Sequence, residues 1–112
     1  MLHPVLKIQL FTDEKCFGPG IAKLLRQVQQ LHSLRAAAIS MDMAYSKAWT
    51  TVRHCEQALG RKLLVNKTGG YHGGGAVLTE DAELLLRCYD AYCEALRTDA
   101  ERLFAMHFSE FL

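Results

Sequence analysis

The sequence predicts a mainly α domain that carries one small β-hairpin and ends in a long helix. Three features point to it. Apolar residues recur at spacings of three and four in two separate stretches, the period of an amphipathic helix. Between those stretches stand a serine, a run of alanines and an aspartate, placed as a cap, a short helix and a tight turn. Five glycines within residues 69–75 then separate a pair of short apolar runs, after which a threonine and three acidic residues open a last helix.

Taken in chain order, "VLKIQLFT" (Val5–Thr12) alternates through Leu6, Ile8 and Leu10, the pattern of a half-buried strand. "DEKCFGPG" reads as a turn, with Pro19 suited to the first turn of the following helix. That helix carries Ile21, Leu24, Leu25, Val28 and Leu31 on one stripe. Ser33 is placed as an N-cap before "LRAAAISM", whose small side chains permit close helix packing. Asp42 falls where a left-handed backbone is needed. A second helix runs from about Ala44 to Leu59 and is closed by Gly60. "KLLVN" and "AVL" are the two strands of a hairpin whose loop is "KTGGYHGGG". Thr79 caps the last helix, and Glu80, Asp81 and Glu83 suit its positive N-terminal end. This order is that of a winged helix-turn-helix with a long C-terminal dimerisation helix. The expected single domain spans residues 1–112, with the helix-turn-helix at about 33–59, the wing at about 62–78 and the dimerisation helix at about 80–107.

The length of 112 residues is that of one domain, and half of them are apolar, enough for a modest core. A domain this small often gains stability by pairing with a second copy. No apolar run reaches the length of a membrane span, and the N-terminus lacks the pattern of a secretory signal, so the cytoplasm is expected. The four cysteines form no C-x-x-C pair and match no zinc-site spacing, and reduced thiols are expected. The net charge of +1 hides a polarised chain. Residues 32–68 carry six cations (Arg35, Lys47, Arg53, Arg61, Lys62, Lys67) against Asp42 and Glu56. Residues 79–112 carry only Arg87, Arg97 and Arg102 against eight carboxylates. A basic middle and an acidic tail suit an anionic partner at the middle.

Around the helix 44–59, Ala48, Val52, Cys55 and Leu59 form the core face, and Ser46, Thr50, Arg53, His54 and Gln57 lie opposite, with Lys47 near them. The N-terminal part of such a helix enters the major groove, where serine, threonine and lysine can bond base edges or phosphates. Taken alone, this is an ordinary solvated face; the short helix before it and the hairpin after it make it a candidate for double-stranded DNA. Trp49 sits on the flank, suited to packing against the wing or the first helix. Ser33 and Arg35 open the short helix, where free amides and a guanidinium suit phosphate. Lys62, Lys67 and Thr68 lie on the wing, where glycines permit close approach to a surface.

Enzyme readings fail on spacing. "GGYHGGG" lacks the G-K-[ST] ending of a phosphate-binding loop and the G-x-G-x-x-G of a dinucleotide loop. His72 has no cysteine or carboxylate at ligand spacing, and no nucleophile–base pair stands out. No catalytic residue, metal or cofactor is expected.

"FGPG", "SLRAAA", "M-x-YSKAW", "ALG-x-x-L" and "TGG-x-x-GGGA-x-LTE" together resemble the N-terminal winged helix-turn-helix domain of the molybdate-responsive transcriptional regulators, the ModE family, relatives of the LysR-type DNA-binding domain. The likeness covers about residues 5–96. It departs at His32 and near Asp81–Ala82, where the family often has glycine. The resemblance implies groove contact at Tyr45, Ser46, Lys47 and Thr50, and backbone contact at Lys67, Thr68 and Gly69. It also implies a homodimer formed by the first and last helices on a palindromic site. Leu85, Tyr89, Tyr92, Leu96 and Leu103 form the expected dimer stripe. Nothing follows the long helix to build the family's molybdate-binding region, so no molybdate binding is expected of this chain. A second reading remains: a protein-interaction or dimerisation module that modulates a full-length regulator or takes its signal from a separate sensor.

Overall fold

The computed structural model describes residues 1–67 and 75–112. Of the expected hairpin loop 67–75, residues 68–74, and with them Thr68 and Gly69, lie outside the described residues, while Lys67 and Gly75 belong to the strands.

The N-terminal strand is the main correction. Residues 1–9 form no strand, and only Leu10–Phe11 (β1) pairs, with Lys15–Phe17 (β2) inside the stretch expected to be a turn. The alternation of Leu6, Ile8 and Leu10 has only a short partner, because Cys16 and Phe17 alone drive their side chains into the core. Ile8 and Leu10 pack on that core, while Val5 and Leu6 remain exposed.

Helix α1 spans Pro19–Leu31, with Pro19 at its first position, where the missing N–H costs no hydrogen bond. Ile21, Leu24, Leu25 and Val28 are buried, but Leu31 at the end of the stripe is exposed. The helix ends at His32, whose φ of 58° is left-handed and whose N–H donates to the Val28 carbonyl. Ser33 Oγ accepts from Ala36 N at 3.0 Å and starts α2 (Leu34–Ser40). Ala37 and Ala38 are fully buried, and their small side chains let α2 lie close against its neighbours. Asp42 takes the left-handed conformation at φ 56° and turns the chain into α3 (Tyr45–Leu59), which Gly60 closes at φ 66°.

Strands β3 (Leu64–Lys67) and β4 (Gly75–Leu78) pair antiparallel in the register Leu64 with Leu78 through Lys67 with Gly75. The two hairpins are separate sheets. The wing is tied down at both ends. Ala76 N donates to the His32 carbonyl at 3.0 Å. The same carbonyl lies 3.1 Å from where a Cβ on residue 75 would stand, a tight approach that glycine leaves unstrained. At the other end, Thr79 Oγ1 donates to the Lys62 carbonyl at 2.6 Å while accepting from Ala82 N at 3.1 Å, so one hydroxyl both latches the wing and caps α4.

Helix α4 runs Glu80–His107 and is followed by a 3-10 turn, Ser109–Phe111. Its first half packs on the core through Ala82, Leu86 and Tyr89. The Tyr89 ring meets Phe17 edge-on with centroids 5.0 Å apart, and its hydroxyl donates to the Ile8 carbonyl at 2.7 Å. Beyond Tyr89 no residue of α4 is buried. Among the described residues, no helix is long and apolar enough to cross a membrane.

Candidate nucleic-acid interface

Helix α3 buries Ala48, Val52 and Cys55 and turns the other side outward. Ser46, Lys47, Thr50, Arg53, His54 and Gln57, the face that the sequence spacing picks out, are all exposed, as is Tyr45, which the resemblance adds. Cys55 lies deep enough that burial, then the neighbouring Cys16, push its thiol up to about 12, so it stays neutral inside the core.

Two arginines are held in place beside this face. The Arg35 guanidinium, exposed on α2, stacks 4.2 Å from the centre of the Tyr45 ring and so joins the start of α2 to the tip of α3. Arg53 lies 5.0 Å over Trp49, with Nη1 3.4 Å from Glu56 Oε1. Trp49 is 47% exposed and remains on the flank, lining a cleft between α3 and the wing together with Tyr45, Arg53, Lys62 and Val65.

Glu56 is the residue that sequence reasoning missed. It is only 7% exposed, on the inner side of α3, and Oε2 accepts from Leu63 N at 2.8 Å and from Leu64 N at 3.2 Å. A carboxylate that accepts amide hydrogens is well satisfied even when buried. The Arg53–Glu56 spacing of three was the available signal, since it places the two on adjoining helix positions. The consequence is mechanical: one side chain of α3 fixes the first residues of the wing, and Arg53 is braced from the same carboxylate.

Ser33 is half-buried with its oxygen engaged as the cap of α2. Lys62 and Lys67 are exposed, Lys62 just before β3 and Lys67 at its far end. On the flank of α3 away from the wing, His54 Nε2 lies 3.2 Å from Glu14 Oε2 in the turn of the N-terminal hairpin. The expected dimer stripe divides. Tyr89 is inside the chain's own core and Leu85 packs against that core, while Tyr92 and Leu103 are exposed and Leu96 is half-buried. Among the described residues no three His, Cys, Asp or Glu side chains gather as a metal site would require.

Residues 22–83 match the family described as bacterial regulatory helix-turn-helix protein, lysR family. The transcriptional regulator ModE of Haemophilus influenzae is 39% identical over 87 residues, which cover 76% of this chain and 32% of that protein. The DNA-binding transcriptional dual regulator ModE of Escherichia coli is 33% identical over 87 residues, 76% of this chain and 31% of that one. The molybdenum-pterin-binding protein MopB of Rhodobacter capsulatus is 35% identical over 74 residues, 66% of this chain and 27% of that one. The chain therefore spans about a third of the length of the curated relatives it matches. Among solved structures, ArgP from Mycobacterium tuberculosis superposes with a TM-score of 0.52 at 26% identity, over 79% of this chain and 30% of that one.

Proposed function

We propose that this chain, which belongs to the lysR family of bacterial regulatory helix-turn-helix proteins, is a homodimer that reads a palindromic duplex site through α3 and the glycine-rich wing. The observation that carries the reading is the outward face of α3. Its N-terminal half presents Ser46, Lys47 and Thr50, and it is bracketed by Arg35 on one element and Arg53 on the next. Short polar side chains and a lysine at the tip suit base edges and phosphates of a major groove. Lys62 and Lys67 suit the adjacent backbone, and Tyr45 serves groove contact while holding Arg35. Thr68 and Gly69 are assigned backbone contact on the sequence resemblance alone. Ser33 contributes as the cap that orients α2, with phosphate contact left to backbone amides and to Arg35.

Pairing is assigned to the open end of α4. Tyr92, Leu96 and Leu103 form its stripe, and Leu85 flanks it at the core end. Two copies related by a two-fold axis would place their α3 helices on half-sites about 34–36 Å apart, one turn of the duplex. The test is selection of bound fragments from sheared genomic DNA. Recovery of an inverted repeat with half-sites one helical turn apart is expected; recovery of no common sequence refutes the reading.

A second reading is favoured by one observation, the apolar end of the chain, where Met106, Phe108, Phe111 and Leu112 are exposed. The chain would then be an interaction module that modulates a full-length regulator. Sizing across concentrations, with a DNA titration beside it, separates the two: self-association without DNA affinity favours the module. No oxyanion site is proposed among these residues, and calorimetry with molybdate is expected to give no heat.

A further inference from the structure

The hairpin β1–β2 precedes residues 22–83, the part that matches the lysR family, yet it is fastened along α3. Cys16 is buried beside Cys55, and Phe17 is sealed under Tyr89. The turn closes with Thr12 N donating to the Glu14 carbonyl at 3.0 Å, and Glu14 Oε2 then reaches His54 Nε2 at 3.2 Å. Lys15, the next residue, is exposed on β2. A cleft separates this hairpin from α3, and its walls include Lys15 on one side and Lys47, Thr50, Thr51 and His54 on the other. Helix α3 is thus flanked twice. The wing and Lys62 lie along the Trp49–Arg53 flank, and the hairpin lies along the Lys47–His54 flank.

A helix with its side chains is about 10–12 Å across. The major groove is about 12 Å wide. A helix that fills the groove therefore brings whatever lies along its two flanks against the two phosphate ridges. We propose that the hairpin β1–β2 is a second phosphate-contacting arm, with Lys15 meeting the ridge opposite the one that the wing meets. This rests on the reading of α3 as the groove-facing helix. The backbone of Lys15 is held by the buried Cys16 and Phe17 that follow it, so little backbone freedom is lost on contact and the cost is the ordering of one side chain. Lysine suits the task as a compact cation that bonds phosphate without base preference. Asp13 and Glu14 are exposed acidic neighbours in the turn that oppose the contact, and Glu14 is engaged by His54 at 3.2 Å.

The test uses the full chain and a labelled duplex recovered by selection, titrated at salt concentrations between about 50 and 200 mM. Lys15→Gln is expected to weaken binding about 3- to 10-fold for each protomer, a typical loss for one phosphate contact. It should also reduce the steepness of log K against log[salt] by about 0.9 for each protomer, while the selected sequence stays unchanged. Lys7→Gln, which removes the same charge from the exposed N-terminal segment outside α3, the two hairpins and α4, is expected to keep the wild-type slope. Wild-type affinity and slope in Lys15→Gln, together with a loss in Lys47→Ala, would overturn the arm and leave the groove reading standing. An equal loss in Lys7→Gln would also overturn it, since net charge alone would then explain the effect. Absence of DNA binding by the wild-type chain would overturn both.

Discussion

The two ends of this molecule handle apolar residues in opposite ways. From β1 to Tyr89 a core is closed: Phe17, Leu24, Leu25, Val28 and Leu63 are almost wholly buried, the exposed apolar side chains such as Phe11 and Ile39 are scattered, and the outward face of α3 is mostly polar. From Tyr92 to Leu112, Tyr92, Leu103, Met106, Phe108 and Phe111 face solvent, with only Phe104 stacked on Phe108 and Phe108 tilted toward Phe111. The shape reflects the same division. The radius of gyration is 17.2 Å and the long axis 62 Å, against about 13 Å expected for the radius of a compact domain of this length. The lesson is that the first region is a finished fold with a polar working surface. The second is an apolar surface still to be covered, as a dimer helix would be.

That contrast predicts where substitutions bite. Phe17→Ala in the finished region should destabilise the chain by about 3–5 kcal/mol, as large-to-small changes at well-packed sites do. Urea denaturation at high dilution measures it, and Leu103→Asp in the open region should move the same midpoint by less than about 0.5 kcal/mol. Leu103→Asp should instead lower the mass seen by sedimentation at concentrations where the wild-type chain pairs; an unchanged mass would remove this stripe from the interface. Glu56→Ala comes next, since it strands the Leu63 and Leu64 amides, at about 1–3 kcal/mol. Glu56→Gln keeps an acceptor and should lose less, so equal losses would deny the amide contacts their role. Ser33→Ala should cost about 1 kcal/mol by removing the cap of α2.

The smallest effect near neutral pH concerns Cys55. Its folded value is raised from 9.0 to about 12, so the folded state holds the proton that the unfolded state releases. That contribution is fully present below pH 9 and is lost as pH rises from 9 toward 12. The alkaline limb of a stability-against-pH curve should be shallower in Cys55→Ala than in the wild-type chain, and identical limbs would contradict the assignment.

Local chemistry made much of the fold readable. Ser33 and Thr79 are caps, Asp42 and Gly60 are left-handed, and the outward face of α3 follows from spacing, because each depends on a few neighbouring residues. What escaped depends on partners far along the chain. Lys15–Phe17 becomes a strand because Phe17 finds Tyr89, more than seventy residues away in sequence. Tyr89 fits a dimer seam by heptad spacing, yet the same ring completes the core under β2. Glu56 counts as a surface charge in sequence and becomes a buried brace only once the wing folds back to offer its amides. The outward side of α3 was therefore legible, and the brace that holds it against the wing was not.

The outward face of α3 is the surface proposed to address DNA. Fluorescence anisotropy with the selected duplex tests it most directly, comparing the wild-type chain with a Ser46→Ala, Lys47→Ala, Thr50→Ala variant whose fold is checked by its denaturation midpoint. Three lost contacts at about 1 kcal/mol or more each predict that affinity falls by roughly 100-fold or more, with the midpoint unchanged. A correctly folded variant that binds the same duplex as tightly as the wild-type chain would contradict the account.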